Sequence, residues 1–235
     1  MAMMALTQLT ALAQQQDTPT DSRVNLEIGA SVLSSYVWRG LELGSVSFQP
    51  VAKIAYKGFS LSAEGNVGLT NTADHRELDL TATYTVGGLN IGITDYWAEG
   101  GRDPENRYFR YNAHSTNHTF EANIGYNFGV ASVQAYTYFA GDDGYNKNGK
   151  RAYSSYLEVD VPFRMAGFDC TATAAAVPWA TTSYKTTGFA VTGLAVKAEK
   201  EIKVTDTFSV PAFAQIYTNP STQHAYLIFG ITLHP

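Results

Sequence analysis

The segment His114-Ser115-Thr116-Asn117-His118 contains residue types that can form a hydrolytic site. A serine hydroxyl can act as a nucleophile and an imidazole as its base, with Glu121 as the nearest carboxylate to orient that base. Such neighbours are common in polar loops, and their side chains diverge if a strand starts here. The sequence therefore favours a protein that is not an enzyme, with a lipid hydrolase as an alternative.

Potential metal ligands are not grouped in the sequence. The five histidines are scattered, and the single cysteine, Cys170, has no second cysteine with which to share a metal or form a disulfide. The stretch Asp142-Asp143-Gly144-Tyr145-Asn146 lacks the spacing and the final glutamate of a calcium loop. We therefore expect no metal and no other cofactor.

Charged side chains recur at alternate positions along the chain. In VSFQPVAKIAYKGFSLSAEGNVGL, residues 46–69, apolar and polar residues alternate, and this period of two is typical of strands with one apolar and one polar face. The charges on the predicted polar face are Glu27, Arg39, Lys53, Glu64, Glu77, Asp79, Glu121, Glu158, Asp160, Asp169, Lys197, Glu199 and Glu201. Because the acids outnumber the bases, this face needs water or protonated carboxyl groups.

The same alternation occurs in twelve segments, and it is weakest near Asp95 and Gly193. Most segments reach the roughly 9 to 11 residues that a tilted strand needs to cross a bilayer. The segments are 23–39, 46–57, 59–70, 76–86, 89–97, 117–128, 131–140, 151–163, 168–178, 189–202, 207–217 and 224–233. They predict an all-β chain.

The connections between these segments alternate in length. Tight turns such as Lys57-Gly58 and Gly87-Gly88 are separated by longer polar loops, of which 98–116 and 141–150 are the longest. Short turns at one end and long loops at the other are typical of outer-membrane barrels. The predicted fold is a closed antiparallel transmembrane β-barrel of about twelve strands.

Composition favours a surface that is partly out of water. Charged residues make up 16% of the chain, against roughly 25% in soluble domains. The net charge of −5 and the lack of a basic cluster argue against a nucleic-acid partner. The expected partners are outer-membrane lipid and a small solute or cation, and the sequence specifies no protein partner.

Aromatic residues collect near the predicted strand ends. Rings with a polar edge favour the boundary between headgroups and hydrocarbon, so two girdles are expected. Their predicted members are Tyr36, Trp38, Tyr56, Phe59, Trp97, Tyr126, Phe128, Phe163, Trp179 and Tyr217. The alternative is packing at hairpin ends in a soluble β domain.

The chain shows no composition break that would divide it into two domains. Residues 1–13 are interpreted as a truncated signal peptide, because Ala11-Leu12-Ala13 has a small-x-small pattern although a basic leading region is missing. Residues 14–22 form a polar linker. Residues 23–235 are predicted to form one barrel.

Several strings of the sequence occur together in a known group of proteins. They are SSYVWRG, SFQP, YKGFSLSAEG, TNHTFEANIGYNFG, NGKRAYSSYLEV, AVPW and KAEKEIKVTDTFSVPAFAQIYTNP. With these strings the chain resembles uncharacterised conserved outer-membrane proteins related to the Gcw-chp group of Bacteroidetes. The resemblance implies a barrel in the bacterial outer membrane, and it implies no catalytic or binding residues.

These observations favour a narrow passive pore or small-solute transporter in the outer membrane. An acidic lumen that contains water would prefer cations. An interior filled by hydrogen-bonded side chains is equally compatible with the sequence. Two other functions stay open: a structural or adhesive barrel that binds a partner through loop 98–116, and a lipid-modifying enzyme.

Overall fold

Alternating residues form β-structure along almost the whole chain. The computed structural model describes residues 23–71, 74, 76–99, 106–113, 115–206 and 208–233, so the predicted signal remnant and linker lie outside the described residues. The strands are β1 (Asn25–Leu33), β2 (Tyr36–Trp38), β3 (Leu41–Gly44), β4 (Ser47–Tyr56), β5 (Phe59–Gly68), β6 (Arg76–Val86), β7 (Leu89–Glu99), β8 (His118–Asn127), β9 (Ser132–Gly141), β10 (Ser155–Met165), β11 (Phe168–Val177), β12 (Ala190–Lys203), β13 (Ser209–Asn219) and β14 (His224–Leu233). Within these ranges no helix is long and apolar enough to cross a membrane.

Twelve of these strands close into one antiparallel barrel. Strand β1 pairs with β4 on one side and with β14 on the other, so the first and last barrel strands meet. Closure pairs the strand edges that an open sheet would leave exposed. The predicted fold, a closed antiparallel barrel of twelve strands, is confirmed, and β2 and β3 form a separate hairpin.

The connections sort by length between the two ends of the barrel, which we call the turn end and the loop end. The turn end contains tight turns such as Lys57-Gly58, where both φ angles are positive, at 48° and 84°. This geometry fits the twist of the flanking strands. A Cβ atom on Gly58 would lie 2.5 Å from the carbonyl oxygen of Thr85, so the position requires glycine. The long loops, including the one with β2 and β3, lie at the other end.

The apolar set of side chains faces outward from the barrel. Leu26 and Leu61 are 67% and 60% exposed, and similar side chains continue around the wall. Exposed apolar surface of this extent marks a surface that contacts something other than water. Buried side chains such as Glu121 and Tyr156 lie inside the barrel instead.

Two register shifts interrupt the alternation. In the β11–β12 pair, Ala175 lies opposite Gly193 and Ala176 lies opposite Val191, which leaves one residue of β12 unpaired. The second shift lies between Phe120 and Glu121 in the β8–β9 pair. A bulge inserts one residue and locally breaks the period of two. The shift in the β11–β12 pair explains the weak alternation near Gly193.

The predicted first strand, 23–39, is wrong in its second half. Strand β1 ends at Leu33, and the chain then leaves the wall and enters the barrel as the β2–β3 hairpin. We call residues 36–44 the luminal hairpin. Tyr36 and Trp38 are therefore buried inside the barrel, and their prediction as girdle residues is wrong.

Candidate functional site: a charged hairpin in the lumen

The luminal hairpin crosses the inside of the barrel. At its root, the Tyr36 hydroxyl donates to Glu77 Oε2 on β6 at 2.6 Å. At its tip, Arg39 reaches Tyr136 on β9, a strand that lies opposite β1 in the closed order. The amide of Asn219 on β13 donates to the carbonyl oxygen of Gly40 at 3.0 Å. Contacts with strands so far apart require the hairpin to span the lumen.

The tip of the hairpin is a tight turn with a demanding backbone. Arg39 and Gly40 have φ angles of 46° and 81°. A Cβ atom on Gly40 would overlap the carbonyl oxygen of Thr192 on β12, so only glycine fits against that strand. The positive φ of Arg39 costs energy for a residue with a Cβ atom. Its surroundings must therefore favour this position of the side chain.

The Arg39 guanidinium makes a bidentate ion pair inside the lumen. Its Nη1 and Nη2 donate to Glu121 Oε2 and Oε1 at 2.7 and 2.9 Å, and Nη1 also donates to the Tyr184 hydroxyl at 2.5 Å. Arg39 and Glu121 are only 5% and 1% exposed. A paired fork of this kind is among the stronger polar contacts in proteins.

Aromatic rings surround the same guanidinium. The Arg39 Cζ atom lies 4.3 Å from the ring centroid of Tyr136, 4.6 Å from that of Tyr156 and 4.7 Å from that of Trp38. A cation close to ring faces is stabilised by their quadrupoles, and more so when water is excluded. We call Glu121, Tyr136, Tyr156 and Tyr184 the arginine cage. Its members come from the wall and the β11–β12 loop, whereas Trp38 belongs to the hairpin itself.

Side chains of the wall hold the cage in place. Tyr96 on β7 donates to Glu121 Oε1 at 2.8 Å. Tyr136 and Tyr156 are directly opposite each other in the β9–β10 pair, and the Tyr156 hydroxyl donates to Glu158 Oε2 at 3.0 Å. These contacts do not involve the hairpin, so the wall by itself fixes the orientation of Glu121 and Tyr156.

Three carboxylates form an acidic patch beside the hairpin. Glu64 on β5 lies opposite Asp79 on β6, and Glu77 accepts the hydroxyl of Tyr36. All three are buried, and Glu64 Oε2 and Asp79 Oδ1 have no hydrogen-bond partner in the described part of the chain. No group of His, Cys, Asp and Glu among the described residues could hold a metal ion. The patch thus places three carboxyl groups together on one side of the lumen.

The other predicted polar charges lie nearer the turn end, and several of them have charged or polar neighbours. Glu27 lies opposite Lys53, and Asp160 accepts the Thr173 hydroxyl at 2.5 Å. Lys197 Nζ lies 3.2 Å from Glu199 Oε2 on the same strand, and Arg164 Nε lies 2.7 Å from Asp169 Oδ1. Glu201 lies opposite Pro211. The Arg164 and Asp169 side chains are 87% and 68% exposed. The lumen is thus filled toward the loop end and accessible at the turn end.

A second polar pair lies on the outside of the wall. His118 begins β8, and its Nδ1 lies 2.7 Å from Asp95 Oδ1 on β7. Its Nε2 lies 2.5 Å from the carbonyl oxygen of Tyr108. A carboxylate and a carbonyl both accept hydrogen bonds, so each ring nitrogen of His118 lies within hydrogen-bond distance of an acceptor. Asp95 shares the outward face with Trp97, which explains the weak alternation near Asp95.

Residues 106–113, which we call the outer flap, cover this pair. Asn106 Oδ1 accepts the Trp97 Nε1–H at 2.9 Å, and the Tyr111 ring lies 4.2 Å from the His118 ring between centroids. Partial burial and the hydrogen bond with Tyr108 raise the pKa of Tyr111 to about 12. Its hydroxyl therefore stays protonated and donates to Asp95 Oδ2 at 3.3 Å. The flap shields an acid that would otherwise face outward among apolar residues.

The candidate hydrolytic residues are not brought together. His118 faces outward and Glu121 faces the lumen, so the two side chains lie on opposite sides of the wall. Ser115 is exposed in the loop, and His114 lies outside the described residues. A nucleophile, a base and an orienting acid must share hydrogen bonds, and these three do not.

The predicted girdle divides into outward and inward residues. Tyr56, Phe59, Tyr126, Phe128 and Phe163 are exposed beside the tight turns, Trp179 lies exposed in a loop, and Trp97 packs against the outer flap. The prediction of Tyr217 as a girdle residue is wrong, as it is for Tyr36 and Trp38. Tyr217 is fully buried in the lumen, where its hydroxyl lies 3.3 Å from that of Tyr156. An interior position satisfies a tyrosine hydroxyl as well as a membrane interface does.

The tyrosines of the cage were not among the site residues predicted from the sequence. Tyr156 shares the parity of Glu158, and Tyr136 alternates with outward residues, so the period of two contained a signal for both. Tyr184 lies in the β11–β12 loop, where no periodicity applies. No strand pattern could have placed it against Arg39.

The fold and the lumen define the class of this molecule as a closed twelve-stranded antiparallel β-barrel with an inward-folded hairpin. No family model matches the chain, and no curated protein matches it. The chain is similar to a solved structure of the NanC porin in a rhombohedral crystal form, at 8% identity and a TM-score of 0.45, over 88% of this chain and 98% of that chain. A likeness at this level supports no functional argument, and the resemblance to the Gcw-chp group stays a prediction.

Proposed function

We propose that this chain is an outer-membrane β-barrel. Its outward face is apolar, and exposed aromatic side chains such as Phe59 and Phe128 surround the turn end. A closed barrel leaves no strand edge unpaired, which the bilayer interior requires of a spanning sheet. Short turns at one end and long loops at the other fit the same location.

We further propose that the barrel is a gated, cation-preferring pore whose gate is the luminal hairpin. The ion pair of Arg39 with Glu121 is the observation that carries this proposal. A buried ion pair stabilises a closed state no better than apolar side chains of similar volume do, because both ions lose their hydration. A charged tip can, however, be rehydrated when it leaves the lumen. An ion pair at the tip therefore suits a hairpin that must leave the lumen.

The charge of the lumen supports the preference for cations. Once the hairpin withdraws, Arg39 leaves with it, and Glu121 joins Glu64, Glu77 and Asp79 as a lining carboxylate. Rings of carboxylates favour cations over anions in a narrow pore.

Conductance in planar bilayers tests this function. We expect the intact protein to be mostly closed, and a variant in which a short Gly-containing turn replaces residues 35–45 to give steady currents with a reversal potential that favours cations. The control is Arg164→Ala, at the exposed turn end, which should leave the gate unchanged. If the hairpin-deleted barrel folds and inserts but carries no current, the pore proposal fails.

A structural barrel is the second candidate, and the filled interior favours it. Buried rings, among them Trp38, Tyr138 and Tyr184, pack into one cluster toward the loop end. In a purely structural barrel, removal of the hairpin would lower stability without creating a conducting path. The same bilayer experiment separates the two functions. The adhesive alternative has no such support, since the described part of loop 98–116 packs against the wall at Trp97 and His118.

A further inference from the structure

We propose that the arginine cage is a binding site for solutes that carry a guanidinium group, and that Arg39 occupies it as an internal ligand. This inference rests on the proposed function and names the substrate class of the pore. The ligand chemistry is read from Arg39 itself, whose guanidinium contacts the carboxylate and the rings of the cage.

The geometry of the cage selects a planar fork over a compact cation. Both oxygens of Glu121 accept from different nitrogens of one guanidinium, at 2.7 and 2.9 Å. The rings of Tyr136 and Tyr156 lie within 4.6 Å of its central carbon. A guanidinium satisfies both features at once, whereas an ammonium is a strongly hydrated point charge that cannot make the paired contact.

The wall members of the cage have partners that do not belong to the hairpin. Glu121 is held by Tyr96, and Tyr156 is held by Glu158 and by contact with the Tyr217 hydroxyl. These partners all belong to barrel strands. Tyr184 contacts Arg39 but also packs against Tyr156 of the wall. Withdrawal of the hairpin would therefore leave Glu121 and Tyr156 in place, with a buried carboxylate that has lost its counter-charge. Such a site favours a new cation of the same shape.

In the intact protein a free solute must compete with Arg39 for the cage, and Arg39 is attached to the barrel through the hairpin. A group on a short linker acts at an effective concentration of about millimolar, so a free solute must exceed that level to displace it. A solute that binds the cage would then hold the hairpin out of the lumen. Substrate binding and gate opening become the same event.

The test uses a variant in which the cage is vacated. Arg39→Ala removes the internal ligand, and ethylguanidinium at low millimolar concentration serves as the probe, because it matches the end of the arginine side chain. We expect saturable binding by titration calorimetry in detergent micelles and a rise in the Tm of the variant. Ethylammonium should bind at least about tenfold more weakly, since it cannot make the paired contact with Glu121.

Matched variants separate the cage from other effects. Glu121→Gln in the Arg39→Ala background keeps the size of the side chain and should abolish binding. Arg164→Ala vacates a guanidinium site beside Asp169 at the exposed mouth, without the cage tyrosines, and should show no Tm rise with ethylguanidinium. If Arg39→Ala does not fold, Arg39→Gln retains more of the packing volume and carries the same titration.

Equal responses to ethylguanidinium and ethylammonium would overturn the inference, as would binding that survives Glu121→Gln. Absence of saturable binding in a folded vacated variant would overturn it too. Binding is measured here without any current, so this failure is distinct from failure of the pore. A barrel could conduct and not bind the probe, or bind it and not conduct.

Discussion

His118 and Glu121 lie three residues apart on β8 and hold two different loops against opposite sides of the same wall. Glu121 faces inward and fixes the tip of the luminal hairpin through Arg39, whereas His118 faces outward and fixes the outer flap together with Asp95. Arg39, Glu121 and His118 are buried and Asp95 is half-buried, and both pairs join a loop to a strand of the barrel. The alternation of a β-strand thus lets one short segment fasten both loops.

The two pairs differ in what they do for the molecule. Arg39 is charged at every pH that the protein will meet, and its pair blocks the lumen. The His118–Asp95 pair removes an isolated carboxylate from an apolar outer face and leaves the lumen untouched. In the proposed pore the inner pair closes the conducting path, while the outer pair makes the wall compatible with its apolar surroundings.

The largest effect is expected from breaking the inner pair. Glu121→Gln leaves the buried Arg39 guanidinium without a counter-charge, which should lower the free energy of unfolding by about 3 to 5 kcal/mol. Urea-induced unfolding from lipid vesicles, followed by tryptophan fluorescence, measures this loss. The double variant Arg39→Met with Glu121→Leu should lose much less, because no ion stays unpaired. Equal losses for the single and double variants would contradict the account of this pair.

The outer pair should matter less for stability. His118→Leu removes the imidazole that contacts Asp95, and Tyr111 still donates one hydrogen bond to it, so we expect a loss of about 1 to 3 kcal/mol in the same assay. Adding Asp95→Leu should recover most of that loss. If His118→Leu destabilises the barrel as much as Glu121→Gln does, the contrast between the two sides is wrong.

The hairpin tip offers a smaller perturbation that does not touch either pair. Gly40→Ala places a Cβ atom at a positive φ and against the carbonyl oxygen of Thr192. The backbone penalty alone is about 1 to 2 kcal/mol, and it acts only on the inserted hairpin. We expect brief channel openings in bilayer recordings. A variant that stays fully closed would show that the tip tolerates more rearrangement than the contacts of Gly40 imply.

The smallest effect is expected at the open mouth. Arg164 pairs with Asp169 at 2.7 Å, but both side chains are mostly exposed. An exposed pair contributes about 0 to 1 kcal/mol, so Arg164→Ala should be nearly neutral in the unfolding assay. A large loss here would mean that the turn end is less accessible to water than the exposure of these side chains indicates.

The sequence predicted the barrel because the period of two, the turn residues and the loop lengths all report on local structure. It did not predict the luminal hairpin. Tyr36 and Trp38 continue the alternation of β1, and a strand of the wall and a hairpin inside the lumen have the same local pattern. Only the contacts of Arg39 with distant strands distinguish them.

The sequence predicted which charged residues face the lumen, but it did not predict which of them contact each other. Parity placed Glu121 on the polar face, and the structure positions it there. The partner of Glu121 lies 82 residues away along the chain, and Tyr184 lies in a loop. Pairings over such separations depend on how the barrel closes, which no local pattern records.

Bilayer recordings of Glu121→Gln and His118→Leu beside the intact protein test the central claim most directly. The two positions share one strand, so differences in folding and insertion can be checked on the same material. We predict frequent, cation-preferring openings for Glu121→Gln and currents like those of the intact protein for His118→Leu. A folded, inserted Glu121→Gln barrel that stays closed would contradict the claim that the ion pair of Arg39 with Glu121 keeps the lumen closed. Equal openings in both variants would contradict it too.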